Sequence, residues 1–183
     1  KSAAELAKIA SQVRRDIVRM VHAQQSGHPG GSLGCADFVT ALYFNIMQLD
    51  TNFKMDGIGE DLFFLSNGHI SPLFYSVLSR RGYFDTKELA TFRKINSRLQ
   101  GHPTTHENLP GIRIASGSLG QGMSVAIGAA LSKKYNNDSK LVFLLLSSVL
   151  IGIWAFLGKH RGILFLQFFY ATAGIIGMIR WHR

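Results

Sequence analysis

Leu62-Phe63-Phe64-Leu65-Ser66-Asn67-Gly68-His69 is the stretch from which the fold is read. Four consecutive apolar residues, two of them aromatic, run into a Ser-Asn-Gly turn signal and predict a short buried strand. The chain then enters a predicted helix over about 71–81, closed by Gly82, because glycine takes the left-handed helix-ending conformation at little cost. A second apolar run, at 141–146, reads as another buried strand. Strands alternating with helices predict an α/β fold built on a parallel sheet.

Upstream, residues 3–24 read as a helix, with Leu6, Ile9, Val13, Ile17, Met20 and Val21 recurring at spacings of three and four. Ser2 and Glu5 form a capping-box pattern at its start. Lys8, Arg14, Arg15 and Arg19 are then its solvated face. Ser26-Gly27-His28-Pro29-Gly30-Gly31-Ser32 reads as a tight, shaped loop. A helix over about 35–48 follows, with Phe38, Leu42 and Ile46 as its expected core stripe. Residues 50–60 are a loop, and Asp85 and Glu88 cap another short helix. Residues 96–118 form a long irregular segment, of the kind that usually carries function. From Gly117 an Ala/Gly-rich helix runs to Tyr135 and ends at Asn136-Asn137.

At 183 residues, 46% apolar and 17% charged, the chain has material for one ordinary core and is not disordered. A single cysteine, Cys35, excludes a disulfide framework and a Cys-based zinc site, and fits a reducing compartment. The net charge of +9 is unevenly spread. Residues 1–140 hold all eleven acids and sixteen Lys/Arg, whereas 141–183 hold four bases and no acid. A nearly all-apolar tail with bases at its breaks is a membrane pattern, so no nucleic-acid partner is expected. The opening residues Lys1-Ser2-Ala3-Ala4-Glu5 carry no early apolar run, so no secretory signal is expected there.

Three histidines follow glycine: Gly27-His28-Pro29, Gly68-His69 and Gly101-His102-Pro103. Chance supplies about one such pair at this composition. Each lies in a loop at the end of an element, and in parallel α/β sheets such loops gather where ligands bind. Glycine lets the backbone approach a ligand closely, and histidine donates to phosphate or moves a proton near neutral pH. Otherwise each is a loop histidine bonded to a nearby carbonyl. Ser116-Gly117-Ser118-Leu119-Gly120-Gln121-Gly122 offers open backbone N–H groups ahead of a helix, suited to anionic or polar ligand atoms. It lacks the Lys-Ser/Thr of a P-loop and the leading strand of a Rossmann fingerprint, and its glycines equally allow close helix packing.

At these residues the sequence resembles the N-terminal part of transketolase. Residues 26–34, 65–69, 101–103 and 117–122 agree with that family in order and spacing, within a likeness covering about residues 2–143. The resemblance implies a parallel-sheet, thiamine-diphosphate-binding fold. It also implies an enzyme that moves a two-carbon ketol unit between sugar phosphates in the cytoplasm, with thiamine diphosphate and Mg²⁺ as cofactors. The partner it implies is a second copy in a homodimer or a complementary C-terminal subunit. Carried over residue by residue, His69 contacts the cofactor's diphosphate. His28 and His102 face the substrate's reacting hydroxyls. Backbone groups of Gly117 and Leu119, with Gly120 in the same run, hold the aminopyrimidine. Leu62 stands where the family has an arginine, an expected loss of surface pairing.

The likeness stops after Phe143. The family continues into Gly-Asp-Gly and a later Asn, which supply the Mg²⁺ ligands; here the chain reads Leu144-Leu145-Leu146-Ser147-Ser148-Val149-Leu150-Ile151, with no acid after Asp138. The metal ligands and the pyrimidine-binding domain are therefore missing from this sequence, which implies an incomplete, truncated catalytic domain over 1–143, inactive by itself. In the tail 144–183, the uncharged run that begins at 141 reaches 158, and another covers 163–179. As helices each would be about 26 Å long, near a bilayer's hydrocarbon thickness. The tail reads as an apolar helical hairpin, a candidate membrane anchor with the N-terminal domain on the cytoplasmic side; the other reading is a buried strand and core helix. Residues 162–183, ending Ile-Arg-Trp-x-Arg, resemble over few positions the last helix of nicotinamide riboside transporters. Two rival functions stay open: a membrane-anchored, non-catalytic module for a phosphorylated ligand, and a non-functional chimeric fragment.

Overall fold

The computed structural model describes residues 1–135, with side chains to 133. The chain divides into two compact units, Lys1–Gly122 and a second beginning at Met123. The first is built from α1 (Ala3–Gln24), α2 (Pro29–Gly34), α3 (Ala36–Ala41) and α4 (Ser71–Arg81). Single turns at Leu42–Ile46, Gly68–Ile70, Thr86–Thr91 and Thr105–Glu107 complete it. Helix α5 (Gln121–Tyr135) begins in this unit and enters the second.

Helix α1 starts as expected: the Ser2 side chain accepts from the Glu5 N–H, and the Glu5 carboxylate accepts from the Ser2 N–H. Its buried stripe is Ala10, Val13, Asp16, Ile17 and Met20. Ala10 and the Asp16 carboxylate lie in that stripe although the apolar periodicity passes over them. Helix α4 is the centre of the core. Every residue from Ser71 to Ser79 is buried, because α1, α2, α3 and the Thr86–Thr91 turn all pack on it. Gly82 closes it in the left-handed conformation, φ 102°.

Several expectations change. No strand forms among the described residues, so the parallel sheet is not seen there. Residues 62–65 run without a ladder, because a strand exists only against a neighbour and the described residues supply none. The other expected strand, 141–146, and the apolar hairpin of 144–183 lie outside the described residues. The Ser26–Ser32 loop is shorter than expected, since Pro29 starts α2 at the position where its missing N–H costs nothing. The single helix over 35–48 is instead α3 followed by a π-helical turn, with the Met47 N–H reaching back to the Leu42 carbonyl at 2.8 Å. That segment buries Ala36, Val39, Thr40 and Tyr43; of the expected stripe, Leu42 packs partly buried against the core, while Phe38 and Ile46 are 65% and 67% exposed. The expected stripe is apolar, and the buried one is apolar except for Thr40, whose hydroxyl is buried without a partner; the small Ala36 and Thr40 permit close packing on α1 and α4. Asp85 does cap the Thr86–Thr91 turn through the Lys87 N–H, whereas Glu88 pairs with Arg98. Leu62 is partly buried over Gly57 rather than a bare surface position.

Candidate functional site

Three loops converge above the N-terminal end of α4. The Gly68–Ile70 turn leads directly into α4 and carries His69. The loop holding His102 is tied to the same helix from inside the core. Ser71 Oγ donates to the Gly101 carbonyl at 2.7 Å, and Tyr75 Oη donates to the Gln100 carbonyl at 2.9 Å. Burial pushes the Tyr75 phenol well above its ordinary range, so it remains a donor. His28 precedes α2, and its carbonyl accepts from Ser32 Oγ at 2.9 Å.

The three glycine-linked histidines meet. The His28 and His69 rings lie 4.8 Å apart between centroids, and His69 and His102 lie 4.6 Å apart, both edge to face. His69 is the middle member. His69 Nδ1 and His102 Nε2 are buried without a hydrogen-bond partner. His102 is held below the ordinary histidine range, first by burial, then by the neighbouring His69, Arg93 and His28. It is therefore a neutral imidazole at pH 7, able to accept or relay a proton.

The Ser116–Gly122 run closes one side of this cluster. The Gly120 N–H donates to the Ser66 carbonyl at 3.3 Å, and the Ser116 N–H donates to the Pro103 carbonyl at 3.3 Å. A Cβ on Gly68 would fall 1.9 Å from the Ser116 carbonyl oxygen, and one on Gly122 would fall 2.6 Å from Ser66 Cα. These glycines permit two backbones to touch, which no side chain would allow. Gly117 and Gly120 have open space where a Cβ would point, and Leu119 is 67% exposed. Ser66 Oγ and Ser116 Oγ are also buried without partners.

Thus four orphaned polar atoms, two imidazole nitrogens and two hydroxyls, come from the three loops at 66–69, 102 and 116. Buried polar atoms are ordinarily paired, and leaving one unpaired costs about 1–3 kcal/mol. The donor set suits a polar or anionic ligand such as a diphosphate. It does not suit Mg²⁺, which takes oxygen ligands, usually carboxylate, and among the described residues no cluster of His, Cys, Asp or Glu is arranged to hold a metal. The sequence points to the histidines and the glycine run. It passes over Arg93, whose guanidinium lies beneath Gly101 and donates to Ser26 Oγ. No periodicity or motif marks Arg93; only the tertiary contact shows it.

A family profile described as the transketolase thiamine diphosphate binding domain matches residues 6–141. This chain belongs to the transketolase thiamine diphosphate-binding family. Transketolase 2 of Saccharomyces cerevisiae is 41% identical over 134 residues, covering 70% of this chain and 19% of the yeast protein. A relative from Phocaeicola vulgatus, named as one of the subunits of apulose-4-phosphate transketolase, is 34% identical over 133 residues, covering 73% of this chain and 46% of that protein. A solved transketolase from Leishmania mexicana superposes with a TM-score of 0.65 at 34% identity, over 70% of this chain and 19% of that one. The chain thus spans about half of the Phocaeicola relative and about a fifth of the other two. Within the described residues, no helix is long and apolar enough to cross a membrane.

Proposed function

We propose that the histidine cluster is part of a thiamine-diphosphate site serving transfer of a two-carbon ketol unit between sugar phosphates in the cytoplasm. The observation that carries this reading is the convergence of His28, His69 and His102 with the orphaned nitrogens of His69 and His102. When bound, the cofactor supplies the carbanion chemistry, and the protein supplies placement and electrostatics. His69, at the centre and at the mouth of α4, is assigned to the diphosphate. His28 and His102 flank it and are assigned to the substrate hydroxyls, where neutral His102 relays a proton. The exposed backbone of Gly117, Leu119 and Gly120 is assigned to the aminopyrimidine. The ligands for Mg²⁺, and the remainder of the site, would come from a second chain. The Phocaeicola relative's name, which makes it one subunit of its enzyme, supports a partner of that kind, and a homodimer is the other arrangement.

The test is calorimetric titration of the full chain with thiamine diphosphate, with and without Mg²⁺, beside an assay of xylulose 5-phosphate with ribose 5-phosphate. Binding that weakens in His69→Ala, with no turnover by the chain alone, is expected. Grafting the missing parts of a close transketolase after Phe143 should then restore turnover. Binding that never yields turnover in the graft would favour the non-catalytic module. Aggregation without binding would favour the chimeric fragment.

For 144–183 the charge pattern supports a membrane hairpin, with domain boundaries at 1–143 and 144–183. Its two uncharged runs flank a basic break at Lys159-His160-Arg161. A charge at a membrane-helix centre costs roughly 2.5–3.5 kcal/mol on insertion scales. The chain should therefore resist carbonate extraction from bacterial membranes, and Ala155→Asp with Ala171→Asp should release it. Recovery of the unaltered chain as folded protein without detergent would refute the hairpin.

A further inference from the structure

We propose that Arg93 is a positioning residue that locks the His28 loop and the His102 loop into one geometry. Its backbone has φ 56°, a conformation that residues bearing side chains avoid, and its N–H donates to the Leu99 carbonyl at 2.8 Å. This turns the side chain back under the chain that leads to His102. A Cβ on Gly101 would fall 2.5 Å from one terminal nitrogen of the guanidinium and 2.7 Å from its Nε. A side chain at residue 101 would therefore require the guanidinium to move. From there the other terminal nitrogen donates to Ser26 Oγ, two residues before His28. The guanidinium carbon lies 5.9 Å from the Phe92 ring centroid, and the same ring backs Gly27. One planar, permanently charged group therefore braces both loops directly, beside the support that α4 gives them through α2 and through Ser71 and Tyr75. The groups facing His102 are His69, Arg93 and His28, so Arg93 is the fixed charge among them. The purpose given to this geometry rests on the proposed diphosphate site; the bracing itself does not.

The test follows the histidine rings of the full chain by NMR, labelled at histidine, across pH 5–8 (on the order of the usual imidazole range), with inorganic pyrophosphate as the ligand probe. In Arg93→Met the ring contacts His28–His69 and His69–His102 should weaken, and the His102 midpoint should rise toward the ordinary histidine value. Arg93→Lys should keep the depressed midpoint, because charge remains, yet still lose ring contact, because the fork is gone. Ser26→Ala should weaken the His28–His69 contact alone. Unchanged ring contacts in Arg93→Met would overturn the proposal, including the case in which the midpoint moves through charge alone. Should Arg93→Met fail to fold, Ser26→Ala decides: an intact His28–His69 contact overturns the brace, and a weakened one supports it. If pyrophosphate leaves every histidine unmoved while the variants behave as expected, the diphosphate reading fails and the role of Arg93 stands.

Discussion

Near the C-terminal end of α4, Asp16 is buried with both carboxylate oxygens in use. Arg80 grips it with Nε and a terminal nitrogen, Ser76 Oγ donates at 2.8 Å, and Gln12 Nε2 donates at 3.1 Å. Beyond the N-terminal end, Ser66, His69, His102 and Ser116 are left with buried polar atoms that bond to nothing in the protein. The same helix supports both ends, so the difference does not come from poor packing. The polar groups around Asp16 satisfy one another, whereas those at the histidine cluster are kept in place by backbone and left free at their tips; one further buried hydroxyl, Thr40 Oγ1 in α3, is also without a partner.

The sharpest way to break this comparison is to remove Asp16. Asp16→Ala leaves the half-buried Arg80 guanidinium without its partner and Ser76 Oγ without its acceptor; because water still reaches Arg80, the expected cost is about 2–4 kcal/mol, below that of a fully buried pair. Denaturant unfolding of the full chain should show that loss, and a cost near zero would mean the network is ornamental. Next comes Gly68→Ala, where the new Cβ meets a carbonyl oxygen at 1.9 Å. The loops must part, with an expected cost of about 1–3 kcal/mol and loss of pyrophosphate binding. Gly30→Ala and Gly34→Ala, which meet nothing within 4 Å in a helix, should instead be neutral or stabilise by about 0.5–1 kcal/mol.

Removing an orphan sharpens the contrast. Ser116→Ala deletes a buried hydroxyl that has no partner, so thermal unfolding should shift by less than about 1 kcal/mol, or upward, while pyrophosphate affinity falls. A loss as large as that of Asp16→Ala would show that the hydroxyl is structural and erase the distinction. The smallest effect is in pH. His102 binds its proton less readily folded than unfolded, because burial and three positive or protonatable neighbours oppose the charge. Its contribution to stability is therefore complete above the unfolded value of about 6.5 and is lost as pH falls below that value through the folded pKa. His102→Gln should flatten that part of the pH–stability curve; an unchanged curve would show that His102 is not desolvated in solution.

Much of the site was legible because its demands are local. Gly27-His28, Gly68-His69 and Gly101-His102 stand out by dipeptide alone, and the Ser116–Gly122 run by its glycines. Their meeting was an inference from loop placement on a sheet, and the loops meet without any strand among the described residues. Arg93 and the Ser66 and Ser116 hydroxyls were invisible as site members, since an arginine in an irregular segment reads as surface until its contact is known.

Sequence alone determined α1 with its capping box, α4 with its closing Gly82, and the residues of the cluster, because caps, periodicity and motifs act within a few positions of the chain. Tertiary structure decided which stripe of α3 and the Leu42–Ile46 turn faced inward, burying Val39 and Tyr43 and exposing Phe38 and Ile46, since two stripes of equal periodicity are separated only by what they pack against. It also decided that Asp16 belongs in the core and Arg93 beneath Gly101. Both depend on partners 60 or more residues away, Ser76 and Arg80 for Asp16 and Ser26 for Arg93, and no local pattern encodes such a distance.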